Sequence, residues 1–165
     1  MEVVKAQKRD LPQLKKVFDR IVDNMHKNGI NLWNEHYPYE EFEFDIDDGN
    51  LYLIKDNQTI VAAFGLYDNI SGKECFKWSC SDDKAKYIGR IGVNVDIGTK
   101  VIDYAKSFSK QEGKQCLRLT VVDFNQPAIN LYIKKGFVKV DGVYKEIIES
   151  ENIVLRELGF EILVD

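Results

Sequence analysis

The residues best suited to chemistry gather in one stretch, residues 116–140, which reads CLRLTVVDFNQPAINLYIKKGFVKV. Tyr132 closes the spacing Asn125-x-x-Ala128-x-x-Leu131-Tyr132, and Gly136-Phe137 follows a turn later. A phenol stays neutral near pH 7 and offers one hydrogen bond, which suits it to hand a proton to a charged acceptor. The bland alternative is a core tyrosine. Asn125 stands where a side chain could cap a helix or close an Asx turn.

The elements that would hold these residues follow from local pattern. Residues 117–122 are a short, β-branched, apolar run, the mark of a buried strand. Asp123, Phe124 and Asn125 interrupt it, and Pro127 sits where helices begin. Ala128, Leu131, Tyr132 and Lys135 recur at helical spacing, Gly136 is a natural stop, and Phe137 opens the next strand.

Upstream, residues 1–6 read as a first strand, and Asp10 with Gln13 as a capping box for a helix. That helix buries Leu14, Val17, Phe18, Ile21, Val22 and Met25, and it ends at Asn28-Gly29. A second short helix carries Phe42, Phe44, Asp45 and Ile46. Residues 51–55 and 59–67 form a hairpin through Asp56-Asn57-Gln58. Residues 69–86 are a loop or protruding hairpin anchored by Phe76 and Trp78. Residues 87–95 read as a strand, and Val101, Ile102, Ala105 and Phe108 as one face of a helix ending near Gly113. Strands over 138–144 and 153–164 close the chain. The order β-α-α-β-β-β-α-β-α-β-β predicts an α+β fold in one domain spanning 1–165, with helices on both faces of the sheet.

The chain of 165 residues carries a net charge of −4 with scattered lysines, which argues against nucleic acid. No apolar run approaches a membrane span, and charge begins at Glu2, so a cytoplasmic location is expected. Three cysteines with no C-x-x-C pair, and only His26 and His36 as histidines, predict no metal site. Cys116 is expected as a small buried hydrophobe.

The pattern Asn125, Ala128, Leu131, Tyr132, Gly136 and Phe137 resembles the signature of the GNAT superfamily of acyl-CoA-dependent N-acyltransferases. The resemblance implies a mostly antiparallel twisted sheet of about six or seven strands with a splayed parallel pair. That pair would be residues 87–95 and 117–122, joined by a right-handed crossover. It implies acetyl-CoA as cosubstrate and a small-molecule or peptide amine as acceptor, and it is compatible with a homodimer. Tyr132 would be the general acid on the departing thiolate. Asn125 would touch the cofactor arm, as would the backbone of Ile91, Gly92 and Val93, which would also donate to the thioester oxygen.

The family's phosphate loop, Q/R-x-x-G-x-G/A, keeps only Gly98, followed by Thr99 and Lys100, at the opening of the crossover helix. Asp96 is either an ordinary N-cap or the sign of a shortened or lost cofactor site. Two functions therefore stand: direct acetyl transfer to a primary amine, or a GNAT-like ligand-binding or interaction module without productive CoA binding. No residue carries over as general base; Glu35, His36, Asp45, Glu74 and Asp82 flank plausible acceptor segments. Trp33 and Tyr37 would line an acceptor pocket or pack the core.

Overall fold

The structure, a computed structural model, describes all residues except 94–96, 149–150 and 165. Its elements are β1 (Glu2–Lys5), α1 (Leu11–Lys27), α2 (Glu41–Asp47), β2 (Leu51–Asp56), β3 (Thr59–Tyr67), β4 (Ala85–Val93) and α3 (Gly98–Gln111). They continue with β5 (Cys116–Val122), α4 (Gln126–Lys134), β6 (Val138–Ile148) and β7 (Ile153–Leu163). Seven strands form a sheet in the order β1-β2-β3-β4-β5-β7-β6. The β4–β5 pair is parallel, and the β1–β2, β2–β3, β5–β7 and β6–β7 pairs are antiparallel. The fold is the expected α+β arrangement.

The chain divides into two compact units, residues 1–66 with 89–101 and residues 67–88 with 102–165. In the first unit, α1 buries Leu14, Phe18, Ile21 and Val22 of the predicted apolar stripe, with Val17 and Met25 partly buried against them. Phe18 is its centre, stacked on Trp33 at 5.5 Å and edge-on to Phe42 at 4.7 Å. Each such ring contributes about 1.5–3 kcal/mol by leaving water. Trp33 is thus a core residue. Asp10 stands at the N-cap of α1 as expected, but without a side-chain cap bond, and the pairing with Gln13 is corrected. Its carboxylate accepts from the Gln7 N–H and from Lys55, while the Gln13 side chain accepts from the Ile60 N–H. The Asp10 carboxylate thus completes a capping box on the preceding 3-10 turn and pairs with the Lys55 ammonium.

In the second unit, β5 is sandwiched between β4 and β7 and is buried almost throughout. Strand β6 runs to Ile148, four residues past its predicted end, because Lys145–Ile148 continue the ladder against Ile153–Arg156. That ladder shifts register between Lys139 and Val143, where Gly142 has φ 115°. A Cβ at Gly142 would lie 2.0 Å from the Cys75 carbonyl oxygen, so only glycine lets the 73–78 segment approach. Phe76 then bridges to Gly142 and lies over Gly159. Residues 69–84 hold two single-turn 3-10 helices, Lys73–Cys75 and Asp82–Lys84.

Candidate active site

Within the second unit, the C-terminal end of β5 passes directly into the α4 helix. The Asn125 N–H donates to the Val122 carbonyl (3.0 Å), and Asn125 Oδ1 accepts from the Ala128 N–H (3.4 Å). Asn125 is therefore the N-cap, with Pro127 in the first turn where its missing N–H costs nothing. The apolar stripe of α4 then turns Ile129 and Tyr132 inward. Tyr132 is 7 % exposed, with its ring centroid 5.9 Å from Phe137 and 6.4 Å from Phe160. Burial alone pushes its phenol well above the usual tyrosine range, so it remains a neutral donor at any working pH.

The parallel ladder joins Ala85–Tyr87 to Cys116–Arg118. Leu119 to Val122 of β5 pair with β7. Next to the Asn125 cap, the carboxyl end of this strand thus has a ladder partner on its β7 side among the described residues. Ends of this kind are where open α/β sheets bind ligands.

In the first unit, Ile91, Gly92 and Val93 are the last residues of β4. Arg90, just before them, has φ 48°, a left-handed conformation that breaks strand alternation and costs a non-glycine residue about 1 kcal/mol or more. Its guanidinium reaches Asp45 at 2.7 and 3.0 Å and Glu41 at 3.2 Å, and it lies 5.6 Å from the Tyr37 ring centroid. Gly92 lies against Phe18, where an added Cβ would sit 2.2 Å from the ring. Gly98 and Thr99 open α3, whose first turn holds no acidic residue. Lys100 follows them, its Nζ 3.2 Å from Met1 Sδ. The expectation about Asp96 falls on a position outside the described residues, as do Asn94 and Val95.

Of the proton-acceptor candidates, Asp45 is buried and committed to Arg90. His36 is exposed, with Nδ1 3.1 Å from Glu40. Glu35 and Glu74 are exposed on the surface. Asp82 is held below the usual carboxylate range by hydrogen bonds from Lys73 and Arg118. A groove of about 570 Å³ is lined by Lys73, Glu74, Trp78, Cys80, Ser81 and Asp82, and neither Tyr132 nor Asn125 takes part in it.

Sequence reasoning passed over the polar centre of the second unit. Arg118 is fully buried in β5 and donates from Nε to Glu161 (2.8 Å) and from Nη1 to Asp82 and the Tyr87 hydroxyl (2.7 Å each). Its Nη2 donates to the Cys80 carbonyl, and Trp78 covers the guanidinium at 4.7 Å. An arginine inside an apolar strand run was the available signal, since a buried charge requires partners. Cys116 is also corrected. It is disulfide-bonded to Cys80, 36 residues away, and Cys75 is the free cysteine. Cys80, Cys116 and Glu161 lie close enough to hold a cation, but the sulfurs are bonded to each other and Glu161 is occupied by Arg118 and Ser79. Glu157, on β7, was also missed. Burial raises its carboxyl above the usual range, a hydrogen bond from Thr120 takes part of that back, and the charge of Glu146 adds to the rise.

Among the described residues, no helix is long and apolar enough to cross a membrane. No curated protein matches the sequence. Several solved structures share the fold. A GNAT-family acetyltransferase from Streptococcus agalactiae 2603 superposes with TM-score 0.74 at 15 % identity, over 99 % of this chain and 95 % of that one. Ribosomal-protein-alanine N-acetyltransferase from Brucella melitensis gives 0.68 at 15 % over 99 % of both chains. YncA from Salmonella typhimurium, solved with its cofactor acetyl-CoA, gives 0.66 at 14 % over 100 % of this chain and 94 % of that one. At these identities the likeness establishes the fold alone. The family model for the acetyltransferase (GNAT) family matches residues 18–137, most of the sequence and all of the β5–α4 unit, so the chain belongs to the acetyltransferase (GNAT) family.

Proposed function

We infer that the protein transfers an acetyl group from acetyl-CoA to a primary amine by direct attack, within a single domain spanning 1–165. The observation that carries this reading is Tyr132: a buried, neutral phenol on a helix that Asn125 caps at the carboxyl end of β5. Acetyl-CoA would supply the activated acyl thioester. The amine nitrogen forms its bond to the acyl carbon as the carbon–sulfur bond breaks, and the Tyr132 hydroxyl gives its proton to the thiolate sulfur. Backbone groups of Ile91, Gly92 and Val93 would align the cofactor arm and donate to the developing oxyanion. The left-handed Arg90 immediately upstream supports that role, because such breaks in a strand re-aim its neighbours.

The start of α3 suits phosphate. Gly98 and Thr99 carry N–H groups free of helical partners, the first turn lacks carboxylates, and Lys100 adds a positive charge. Asn125 would contact the cofactor arm with whatever capacity its capping bond leaves. The acceptor is a small molecule or a peptide amine.

The deciding experiment is calorimetric titration of the protein with acetyl-CoA. A dissociation constant near micromolar, about −8 kcal/mol, is expected. No heat and no thermal shift would discard the enzyme in favour of a non-catalytic module.

A further inference from the structure

We propose that Glu157 takes the proton from the attacking amine, with the Thr120 hydroxyl holding its carboxylate in place. The proposal rests on the acetyl-transfer reading and adds the residue that reading leaves open.

Glu157 lies in β7 with Val122 as its ladder partner on one side and Tyr144 on the other. Val122 is the last residue of β5, and its carbonyl receives the N–H of Asn125. Glu157 therefore pairs with the residue whose carbonyl starts the turn into the Tyr132 helix, at the carboxyl end of β5. Strand alternation then fixes the sides. Arg118, Thr120 and Val122 share a face with their partners Glu161, Gly159 and Glu157. Leu119 and its partner Phe160 share the other, and Tyr132 packs on Phe160. Tyr132 and Glu157 thus stand on opposite faces of the same strand end. A thioester at the strand end would be reached from both faces, by the amine from the Glu157 side and by the phenol from the Tyr132 side.

The carboxylate is available for the task. Glu161, two rungs along, is occupied by Arg118 and Ser79. Glu157 faces Thr120 from β5 and Glu146 and Tyr144 from β6, and Glu74 with Cys75 approach Tyr144 from the 73–78 segment. The cation on this face of β5, Arg118, is already bound to Glu161, Asp82 and Tyr87. Half-buried beside like charge, the carboxyl has its affinity for a proton raised, the direction that favours a general base.

The protons balance. An incoming R–NH3+ gives one proton to the Glu157 carboxylate and becomes R–NH2. The nitrogen attacks, the carbon–sulfur bond breaks, and Tyr132 protonates the sulfur. The second nitrogen proton leaves as the amide forms, restoring Tyr132 through solvent, and Glu157 releases its own proton to water. The sum is R–NH3+ plus acetyl-CoA giving the amide, CoA and one proton.

The test combines two readings on the full chain. Carbon-13 NMR of glutamate-labelled protein should show Glu157 titrating above the ordinary 4.5, and Thr120→Val should move it higher still. For acetylation of ethylamine, lysine and an alanyl peptide, Glu157→Gln should lower kcat/KM about a hundredfold and abolish the acid limb of its pH profile. Glu157→Asp should keep part of the rate, and acetyl-CoA affinity should be unchanged in both variants. A Glu157 carbon titrating at the ordinary value overturns the assignment, as does a Glu157→Gln protein with rates within about twofold of wild type. Wild-type protein that binds no acetyl-CoA overturns the acetyl-transfer reading itself, and calorimetry separates that failure from the other two.

Discussion

Arg118 and Glu161 meet across the β5–β7 ladder, Nε to Oε2 at 2.8 Å, with 0 and 5 % of their side chains exposed. An ion pair this deep repays its desolvation only when every remaining donor is used. Here Asp82, the Tyr87 hydroxyl and the Cys80 carbonyl take the rest of the guanidinium. Arg118→Met should therefore cost about 3–5 kcal/mol, since it strands Glu161 in the interior. Adding Glu161→Leu should restore part of that loss, because two apolar side chains leave no unpaired charge. Urea midpoints of the two variants decide the matter. A single variant within about 1 kcal/mol of wild type would show that the pair contributes nothing structural.

The same cluster sets the response to acid. Burial opposes ionisation of Glu161, but hydrogen bonds from Ser79 and Arg118 outweigh it and hold the carboxyl below its usual range. Asp82 is lowered as well, through Lys73 and Arg118. The folded chain thus binds these protons less readily than the unfolded chain. The resulting stability is complete above the ordinary values of 4.5 and 3.8, and it is lost as pH falls through the depressed ones. Unfolding followed from pH 6 to pH 3 should show a steep loss in wild type and a shallower one in Arg118→Met. Asp10, lowered in the first unit by Lys55 and the Gln7 N–H against its own burial, should keep its contribution in both. Equal slopes in the two proteins would separate Arg118 from acid stability.

Gly92 tests the packing beneath the end of β4. A methyl group there meets the Phe18 ring at 2.2 to 2.8 Å, and Phe18 is itself wedged between Trp33 and Phe42. Gly92→Ala should cost about 1–3 kcal/mol by overpacking, and Phe18→Leu in the same chain should recover part of it. Thermal denaturation of the single and double variants measures both effects. A Gly92→Ala protein as stable as wild type would mean that the ring has room to move.

Among the described residues the order of helices and strands was legible because α1 and α4 bury one periodic face and β5 is a continuous apolar run. The exceptions have physical causes. Strand β4 begins at Ala85, two residues before its predicted start, because Lys86 reads as polar while it is buried against Asp68 (3.1 Å) and Glu112 (2.8 Å). The Cys80–Cys116 bond joins residues that no local pattern relates. Tyr132 and Asn125 stood out because the GNAT-like spacing that holds them lies within one contiguous stretch of sequence. Glu157 did not, because its environment comes from Val122, Thr120 and Glu146, which are neighbours only after three strands pair.

Removing the Tyr132 hydroxyl separates a catalytic tyrosine from a packing one. The ring contacts Phe137 and Phe160, and all of these survive in phenylalanine. Burial is the sole cause of the phenol's shift, with no hydrogen bond or charge contributing among the described residues. Folding therefore gains nothing measurable from the oxygen, and Tyr132→Phe should alter stability by less than about 0.5 kcal/mol. Catalysis should behave differently. Without a proton for the thiolate, kcat should fall about a hundredfold while the dissociation constant for acetyl-CoA stays nearly constant. Calorimetry and steady-state kinetics on the same preparation give both numbers. Equal losses of rate and affinity, or unchanged kinetics, would remove Tyr132 from the reaction and leave it as core.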